Sequence, residues 1–275
     1  MKKRTFVEWL YETKTGRVCL KVLLYSGALK IGEIFARSSL SKPLIAPYIR
    51  NNHIDMRDYK GQQFRTFQEF FSRKRKDIPV DMGKDHLISP CDGYLSAYPI
   101  RENSRFFIKG SWYKVRDLVT NPKEASAFQG GQCVIVRLCA DDYHHYCYID
   151  DGFQRENHFV KGLLHSVQPV ACENEPVYRL NRRMWNILET ENFGKVAQIE
   201  IGALLVGGMV NMGQNVPMRK GKDMGHFELI GSTIVLLFEK DTIELLPEVK
   251  KAIAGDREMR VLQGQHIGNR KVTNC

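Results

Sequence analysis

The sequence lacks an uninterrupted apolar segment long enough to cross a bilayer. Its longest nearly apolar run, Ile201 to Met212, contains three glycines and an asparagine. It falls short of the ~20 residues that a spanning helix needs. The basic N-terminus, MKKRTFVEWLYETKTGR, is followed by neither a hydrophobic core nor a small-residue cleavage site, which argues against a secretory signal. We therefore expect no transmembrane helix and a protein that stays inside the cell.

The sequence also lacks paired cysteines. Its seven cysteines stand at positions 19, 91, 133, 139, 147, 172 and 275, with no CxxC pair and no regular spacing. This scatter argues against a disulfide framework and against a zinc cage, so reduced thiols are expected. Of the 275 residues, 43% are hydrophobic and 10% aromatic, which is enough for the packed core of a large globular domain.

Acidic residues are scarce in the first quarter of the chain. Residues 1–76 hold 17 Lys and Arg against 6 Asp and Glu, whereas the other residues hold 24 against 25. The net charge of +10 therefore comes from that first quarter. Such an asymmetry fits either a nucleic-acid-binding region or a segment that lies on anionic lipid.

An amphipathic helix is predicted between Arg17 and Arg37. Its apolar residues recur at intervals of three and four and cover about 120° of the surface: Leu20, Leu23, Leu24, Ile31, Ile34 and Phe35. Lys21 and Lys30 border this stripe, where their ammonium groups could reach lipid phosphates. A helix packed on its own domain would show the same stripe. A second basic segment, Phe70 to Lys76, is either a solvated linker or a phosphate-facing patch.

The chain changes character after Pro79. Short runs rich in β-branched and aromatic residues follow one another between glycines and prolines: Arg105–Ile108, Trp112–Val115, Cys133–Cys139, Val196–Leu205 and Thr233–Phe238. A helical pattern returns at Glu248–Ala254. The sequence thus predicts an α+β fold. It has a β-rich core at residues 77–275 and an N-terminal helical, membrane-associating appendage at residues 1–76.

Candidate acid–base residues follow the third of these runs, in the segment DDYHHYC at residues 141–147. His144 and His145 would point to opposite sides of an extended segment, so this segment alone cannot fill the coordination shell of a metal. We therefore predict no metal. A histidine at a strand end suits proton transfer, because its unperturbed pKa of about 6.5 allows transfer in both directions at neutral pH. Two surface histidines in a loop are the alternative.

Nine short motifs occur in a specific order along some 170 residues, from about Phe67 to Glu239. They are FQEFFSR at 67–73, SPCDG at 89–93, IKGSWY at 108–113, DYH at 142–144, HSVQP at 165–169, ENFG at 191–194, IGALLVG at 201–207, KGKDMGHF at 220–227 and GST at 231–233. In this order they resemble the motifs of the phosphatidylserine decarboxylases. Each motif is weak alone, but the shared order is highly specific.

The resemblance implies a proenzyme that cuts itself between Gly231 and Ser232. In that family the serine hydroxyl attacks the preceding carbonyl, the resulting ester is eliminated, and the new N-terminus becomes a pyruvoyl group with loss of ammonia. The products here would be a large chain, 1–231, and a small chain, 232–275, that begins with the pyruvoyl cofactor derived from Ser232. This cofactor would form a Schiff base with phosphatidylserine, and CO2 and phosphatidylethanolamine would be released.

The same resemblance assigns roles to particular residues. Asp92 and Ser232 match the self-cleavage triad, and His144 matches the residue that returns a proton after decarboxylation. Many family members have Y-H-x-x-H, whereas here Cys147 stands where they have the second histidine. The base for self-cleavage is therefore open: a Cys147 thiolate, if its pKa is lowered, or His144 or His165.

The charge asymmetry fits an enzyme whose lipid substrate stays in the bilayer. We expect a peripheral protein on the cytoplasmic face of the cell membrane, bound to phosphatidylserine and anionic lipid through residues 1–76. The resemblance suggests a homodimer, and no nucleic acid is expected as a partner. Two alternatives are a catalytically inactive lipid-binding relative and a pyruvoyl decarboxylase of another amine-bearing carboxylate.

Overall fold

The computed structural model describes residues 4–108, 111–203, 208–229 and 232–271. Within these residues the helices are α1 Phe6–Glu12, α2 Lys14–Tyr25, α3 Ala28–Arg37, α4 Ile45–Asn51, α5 Phe67–Phe71, α6 Val115–Leu118, α7 Pro122–Ser126, α8 Pro169–Asn174, α9 Val177–Leu180 and α10 Pro247–Ile253. Two 3₁₀ helices, Ser39–Leu44 and Arg57–Tyr59, lie between the N-terminal helices. Among the described residues, no helix is both long and apolar enough to cross a membrane.

The strands begin after the N-terminal helices and continue to the end of the described chain. They are β1 His86–Ile88, β2 Gly93–Pro99, β3 Arg105–Ile108, β4 Ser111–Lys114, β5 Gln132–Leu138, β6 His145–Cys147, β7 Gly152–Gln154, β8 His158–Val160, β9 Arg183–Thr190, β10 Lys195–Gly202, β11 Met209–Asn211, β12 Val216–Met218, β13 Asp223–Phe227, β14 Ser232–Phe238, β15 Ile243–Leu245, β16 Met259–Val261 and β17 His266–Arg270. The fold is mixed α and β with a β-rich core, as the sequence predicted.

The core is an antiparallel sheet of nine strands. Eight follow the order β12-β7-β9-β10-β14-β5-β2-β16, and β8 pairs with β9. Every residue of β14 is buried, because this apolar strand lies between β10 and β5 inside the sheet. A three-stranded sheet in the order β11-β13-β6 carries the histidine segment, and β1, β17 and β15 form another.

The five predicted strands are confirmed as β3, β4, β5, β10 and β14, and the predicted C-terminal helix is α10. Most boundaries differ by about a residue. The predicted strand at Val196–Leu205 ends earlier, because β10 stops at Gly202 and residues 204–207 lie outside the described chain. Lys109 and Gly110, the turn of the predicted β3–β4 hairpin, also lie outside it.

The prediction of a single helix from Arg17 to Arg37 is wrong. The structure has two helices, because Gly27 adopts a left-handed backbone with φ of 77° and ends the helical repeat between α2 and α3. Leu20 is buried in the main core, whereas Ile31 and Ile34 are exposed. The apolar stripe therefore does two things: its first half packs on the protein, and its second half faces outward.

The N-terminal helices pack closely on the β-rich part of the chain. Leu10 and Tyr11 of α1 are buried in the same hydrophobic cluster as the central strands. A second cluster joins Phe67, Phe70 and Phe71 of α5 to Leu229, three residues before Ser232. The helical region thus contacts the segment that leads to the predicted cleavage point.

Candidate active site

Ser232 is the first residue of β14 and has a strand on each side. Its Cα partners are Gly202 on β10 and Leu138 on β5. The side chain is fully buried, and its Oγ has no hydrogen-bond partner among the described residues. Burying an unpaired hydroxyl costs on the order of 1–3 kcal/mol, so this position calls for an explanation other than stability. Gly231, the other side of the predicted scissile bond, lies outside the described residues.

Asp92 immediately precedes β2, and β5 separates β2 from β14. Its buried carboxylate has two partners: Oδ1 accepts the backbone N–H of Gln263 at 2.9 Å, and Oδ2 lies 2.9 Å from Arg75 Nη1. Because neighbouring strands are about 4.8 Å apart, the backbones of β2 and β14 are about 10 Å apart. Asp92 and Ser232 thus lie in one region of the sheet with a strand between them.

His144 lies just before β6 and is fully buried. Its Nδ1 is 2.9 Å from the carbonyl oxygen of Asp142, and the centres of its ring and the Phe71 ring are 4.0 Å apart. A carbonyl only accepts, so Nδ1 carries the proton and Nε2 presents a lone pair. That Nε2 has no partner among the described residues. Burial, with a contribution from Arg73, lowers the pKa of His144 to about 3, so the ring is neutral.

Cys147 ends β6 and is also buried. Its backbone N–H donates to the carbonyl oxygen of Pro90 at 2.8 Å, so Cys147 lies next to the segment that carries Asp92. Burial raises the pKa of the thiol to about 12, although a hydrogen bond from the Gln263 side chain opposes the shift. The thiol is therefore neutral at physiological pH. The lowered pKa that a thiolate base requires is not found in this structure.

His165 lies in the loop before α8, on the side of the sheet reached by α1. Its Nδ1 is 3.1 Å from the hydroxyl of Tyr11, which also accepts the backbone N–H of Ser166 at 3.0 Å. This hydrogen bond holds His165 against Tyr11, and its direction depends on which ring nitrogen carries the proton. Asn181 connects the loop to the site, because its amide donates to the carbonyl of His165 at 2.8 Å and to that of Gly202 at 2.7 Å. Burial lowers the pKa of His165 to about 4.

The basic segment from Phe70 to Lys76 is not a solvated linker, because Phe70 and Phe71 are buried and its cations make specific contacts. Arg73 is buried, with its guanidinium carbon 4.8 Å from the centre of the Tyr59 ring. The Lys74 ammonium pairs with Asp223 at 2.8 Å, and Arg75 pairs with Asp92. Three of the four cations thus hold this segment against the β-rich core, and Lys76 alone among them is exposed without such a contact in the described structure.

Sequence reasoning missed several residues of the site, of which Glu200 is the most unusual. Glu200 is fully buried on β10, with its Oε1 bonded to the side-chain amides of Gln198 and Asn211 at 2.9 and 3.1 Å. Burial raises its pKa to about 7. Glu200 pairs with Ile234 across the two strands, and Gly202, two residues further along β10, pairs with Ser232. Because side chains two residues apart on a strand, and those of paired residues, share a face, Glu200 and Ser232 lie on the same face of the sheet. A glutamate among apolar residues at 196–203 was the available signal.

Two groups of described residues bring three potential metal ligands within 4.8 Å of one another: Asp81, His86 and His266, and Cys139, Asp141 and Asp142. In each group, another protein side chain is already hydrogen-bonded to one of the potential ligand atoms. Asn269 bonds the Nε2 of His266 at 2.9 Å, and Arg137 donates to the sulfur of Cys139 at 3.1 Å. That the protein needs no metal stays a prediction.

The sequence was also compared with known proteins. The profile of the phosphatidylserine decarboxylase family matches residues 67–269. The phosphatidylserine decarboxylase proenzyme 2 of Clostridium acetobutylicum is 38% identical over 265 residues, which cover 95% of this chain and 91% of the relative. The phosphatidylserine decarboxylase proenzymes of Clostridium perfringens and Clostridium beijerinckii are 34% and 33% identical, over 96% and 97% of this chain and 93% of each relative. The chain belongs to the phosphatidylserine decarboxylase family.

Proposed function

We propose that this chain decarboxylates phosphatidylserine with a pyruvoyl group that it makes from Ser232 by cutting itself at Gly231-Ser232. The observation that carries the proposal is the buried Ser232 Oγ at the start of β14, which has no partner among the described residues. A hydroxyl held without a partner is free to attack the neighbouring carbonyl. The word proenzyme in the names of its relatives fits such a precursor.

Each neighbouring residue has a different part in this chemistry. In self-cleavage the hydroxyl proton of Ser232 must pass to a base, and His144 is the candidate whose Nε2 lone pair is open. Cys147 is a neutral thiol, and the Nδ1 of His165 is already hydrogen-bonded to the Tyr11 hydroxyl. A pyruvoyl group formed from Ser232 would supply the electrophilic carbonyl that, after condensing with the substrate amine, takes up the electron pair left by CO2. We assign the return of a proton to the product to His144 as well, as the family resemblance implies.

Intact-mass spectrometry of the purified protein tests the self-cleavage. We expect a large chain of residues 1–231 and a small chain of residues 232–275 that begins with the pyruvoyl mass. Ser232→Ala should stay uncut, whereas Ser96→Ala, at another buried serine of the same sheet, should be cut like the wild type. A full-length wild-type protein after native folding would instead favour the inactive relative.

The substrate is tested on the processed protein. Vesicles that contain phosphatidylserine should release CO2 and gain phosphatidylethanolamine in proportion to the amount of small chain. Free serine, offered under the same conditions, should release none, because it has no acyl chains to hold it at an apolar site. Release from free serine but not from vesicles would favour a pyruvoyl decarboxylase of a soluble amine-bearing carboxylate.

We propose further that α2 and α3 bind the membrane. Apolar side chains face outward on these helices, with Tyr25, Ile31 and Ile34 about 70% exposed, at 72%, 69% and 70%. Five cations of the same part of the chain are exposed as well: Lys14, Arg17, Lys21, Lys30 and Lys42. Apolar insertion and attraction to anionic headgroups add up on such a surface. The peripheral location on the cytoplasmic face and the homodimer remain predictions.

A cavity beside α3 supports a lipid as the substrate. It has a volume of about 390 Å³ and apolar walls that include Phe35, Leu44, Tyr48, Phe67 and Leu229. Its walls therefore run from the outward-facing helix α3 to the residue three positions before Ser232. An acyl chain of a lipid in the bilayer would make apolar contacts with the walls of this cavity.

Flotation with vesicles tests the membrane surface. Ile31→Asp together with Ile34→Asp should reduce binding to anionic vesicles at least tenfold, because burial of one isoleucine contributes about 1.5–3 kcal/mol. Phe153→Asp together with Phe159→Asp, at exposed residues of β7 and β8, is the matched control and should bind like the wild type. Equal binding by both double variants would contradict the assignment of this surface.

A further inference from the structure

The two-stranded hairpin of β3 and β4 has a buried face and an outer face. The inner side chains Phe106, Ile108 and Tyr113 are buried in the main hydrophobic cluster. The side chains that alternate with them form the outer face, which we term the hairpin face: Arg105, Phe107, Trp112 and Lys114. Phe107 and Trp112 are about half exposed, at 47% and 49%, and their ring centres are 5.2 Å apart. Adjacent exposed aromatic rings are typical of a surface that meets a partner.

The other two side chains of the hairpin face carry the same charge. Arg105 lies directly opposite Lys114 across the two strands. Like charges in this position destabilise a pair of strands. Neither side chain forms an ion pair with a described residue that would offset the repulsion. An anion bound between them would remove this cost.

A cavity beside the hairpin face collects a third cation. It has a volume of about 500 Å³, and its walls include Arg105, Lys114 and Arg116. No aspartate or glutamate among the described residues lines it. Guanidinium and ammonium groups are the side chains that proteins use to hold phosphate oxygens. The positive charge of this cavity therefore fits a phosphate group.

The aromatic pair indicates where that phosphate comes from. The guanidinium carbon of Arg101 lies 4.6 Å from the centre of the Trp112 ring, so a further cation accompanies the exposed rings. A free phosphate in water makes no use of two exposed rings. At a bilayer surface, by contrast, indole and phenyl rings enter the headgroup region while arginine and lysine meet the phosphates. The combination favours a phospholipid.

We propose that the hairpin face is a second membrane contact, in which the two aromatic rings enter the lipid interface and the neighbouring cavity binds the phosphate of an anionic lipid. The inference rests on the proposed membrane location and does not depend on self-cleavage. It concerns a surface separate from α2 and α3.

The hairpin is connected to the N-terminal helices through α8 and α9. The ring centres of Tyr113 on β4 and Tyr178 on α9 are 5.7 Å apart, α9 contacts α8, and α8 contacts α1. Two separate contacts with one bilayer, at the hairpin face and at α2 and α3, would fix the orientation of the protein on the membrane.

Flotation with vesicles of equal parts phosphatidylcholine and phosphatidylglycerol tests the cations without offering the substrate. Arg105→Gln together with Lys114→Gln should weaken binding about tenfold to thirtyfold, because two basic residues lose their attraction to the anionic surface. The melting temperature should not fall, because the same change removes a like-charge pair. Lys60→Gln together with Lys84→Gln, which removes two exposed lysines on other elements, is the charge-matched control and should weaken binding less than about threefold. Equal losses in both double variants would overturn the inference.

Tryptophan fluorescence tests the aromatic pair. Trp9→Phe leaves the buried Trp185 and the exposed Trp112 as the two emitters. Addition of the same vesicles should shift the emission of this variant to shorter wavelengths, since an indole that enters the lipid interface loses contact with water. A further Trp112→Phe should abolish the shift. Bound vesicles without a shift would overturn the inference.

Two further probes separate the sources of the phosphate. Inorganic phosphate should cause no such shift, and a site that binds it while vesicles leave Trp112 unchanged would be a site for a soluble phosphate. Single-stranded DNA should bind equally to the wild type and to the Arg105→Gln, Lys114→Gln variant. A loss of DNA binding without a loss of vesicle binding would overturn the inference in favour of nucleic acid.

The two membrane surfaces fail in distinguishable ways. If the hairpin variant floats like the wild type while Ile31→Asp with Ile34→Asp does not, the hairpin inference alone is wrong. If the wild type itself does not float, it is the proposed membrane location that fails.

Discussion

His144 and His145 are adjacent in the chain, yet the hydrogen-bonding environments of their two side chains differ. His145 is bonded through both nitrogens, with Nδ1 3.2 Å from the Asp223 carboxylate and Nε2 3.1 Å from the Ser72 carbonyl. His144 faces Phe71 and keeps its Nε2 without a partner among the described residues. A histidine bonded at both ends fastens two elements together, whereas one with an open lone pair can exchange a proton. Alternation along an extended segment is enough to separate these roles.

The largest effect is expected from exchanging each histidine for asparagine. His144→Asn should lower decarboxylation per processed molecule by about 10²–10⁴-fold, the usual contribution of a general acid or base. His145→Asn should lower it less than about tenfold and instead reduce the free energy of unfolding by about 1–3 kcal/mol, because it loses bonds to Asp223 and Ser72. Activity and denaturant unfolding, measured on both variants, decide between the roles. Equal losses of activity in the two variants would contradict the different roles proposed for His144 and His145.

Glu200, like His144, is a buried group with one polar atom bonded and one open: its Oε1 accepts two hydrogen bonds. Its Oε2 has no partner among the described residues. Its pKa rises from 4.5 when unfolded to about 7 when folded, so the folded state binds the proton more tightly. Stability from this group is complete below pH 4.5 and is lost as the pH rises through about 7.

Glu200→Gln should therefore leave stability unchanged near pH 4.5 and raise it at pH 8, by about 3 kcal/mol at most. Urea unfolding of the unprocessed Ser232→Ala protein, with and without the second substitution, measures the difference at both pH values. A stability difference that is the same at pH 4.5 and pH 8 would show that Glu200 does not titrate in this range.

The smallest effect is expected at Cys147, whose sulfur is already bonded. Cys147→Ser keeps a group that can accept the Gln263 amide, and a neutral thiol does no base chemistry. The rate of self-cleavage should change less than about threefold. Loss of cleavage in a variant that melts at the wild-type temperature would instead identify Cys147 as the base.

Much of the fold follows from local pattern. The runs that became β3, β5 and β14 are rich in β-branched and aromatic residues, and such residues pack well on a pleated surface. The break at Gly27 was harder to predict, because the apolar stripe continues across it and one backbone angle decides the outcome. Local pattern also did not distinguish the buried half of that stripe from its exposed half, since tertiary packing decides which residues are covered.

The site is predictable where a motif fixes it and not where partners come from far away. Asp92, His144 and Ser232 were predicted from motif order. Gln263 lies 171 residues from Asp92 along the chain, and only the pairing of β16 with β2 brings them together. Arg75 was read with its neighbours as one run of positive charge, because a sequence does not reveal which cation in a run meets a buried acid.

The position of β14 has a consequence for the lifetime of the enzyme. After a cut at residues 231 and 232, β14 belongs to the small chain, while both of its hydrogen-bonded neighbours, β10 and β5, belong to the large one. The precursor folds as one molecule, but a cleaved molecule that unfolds must find its other half again by diffusion. Reassembly of the two chains then depends on their concentration, and the lifetime of the cleaved protein is set by its rate of unfolding. Self-cleavage would thus turn a reversible fold into one that each molecule attains only once.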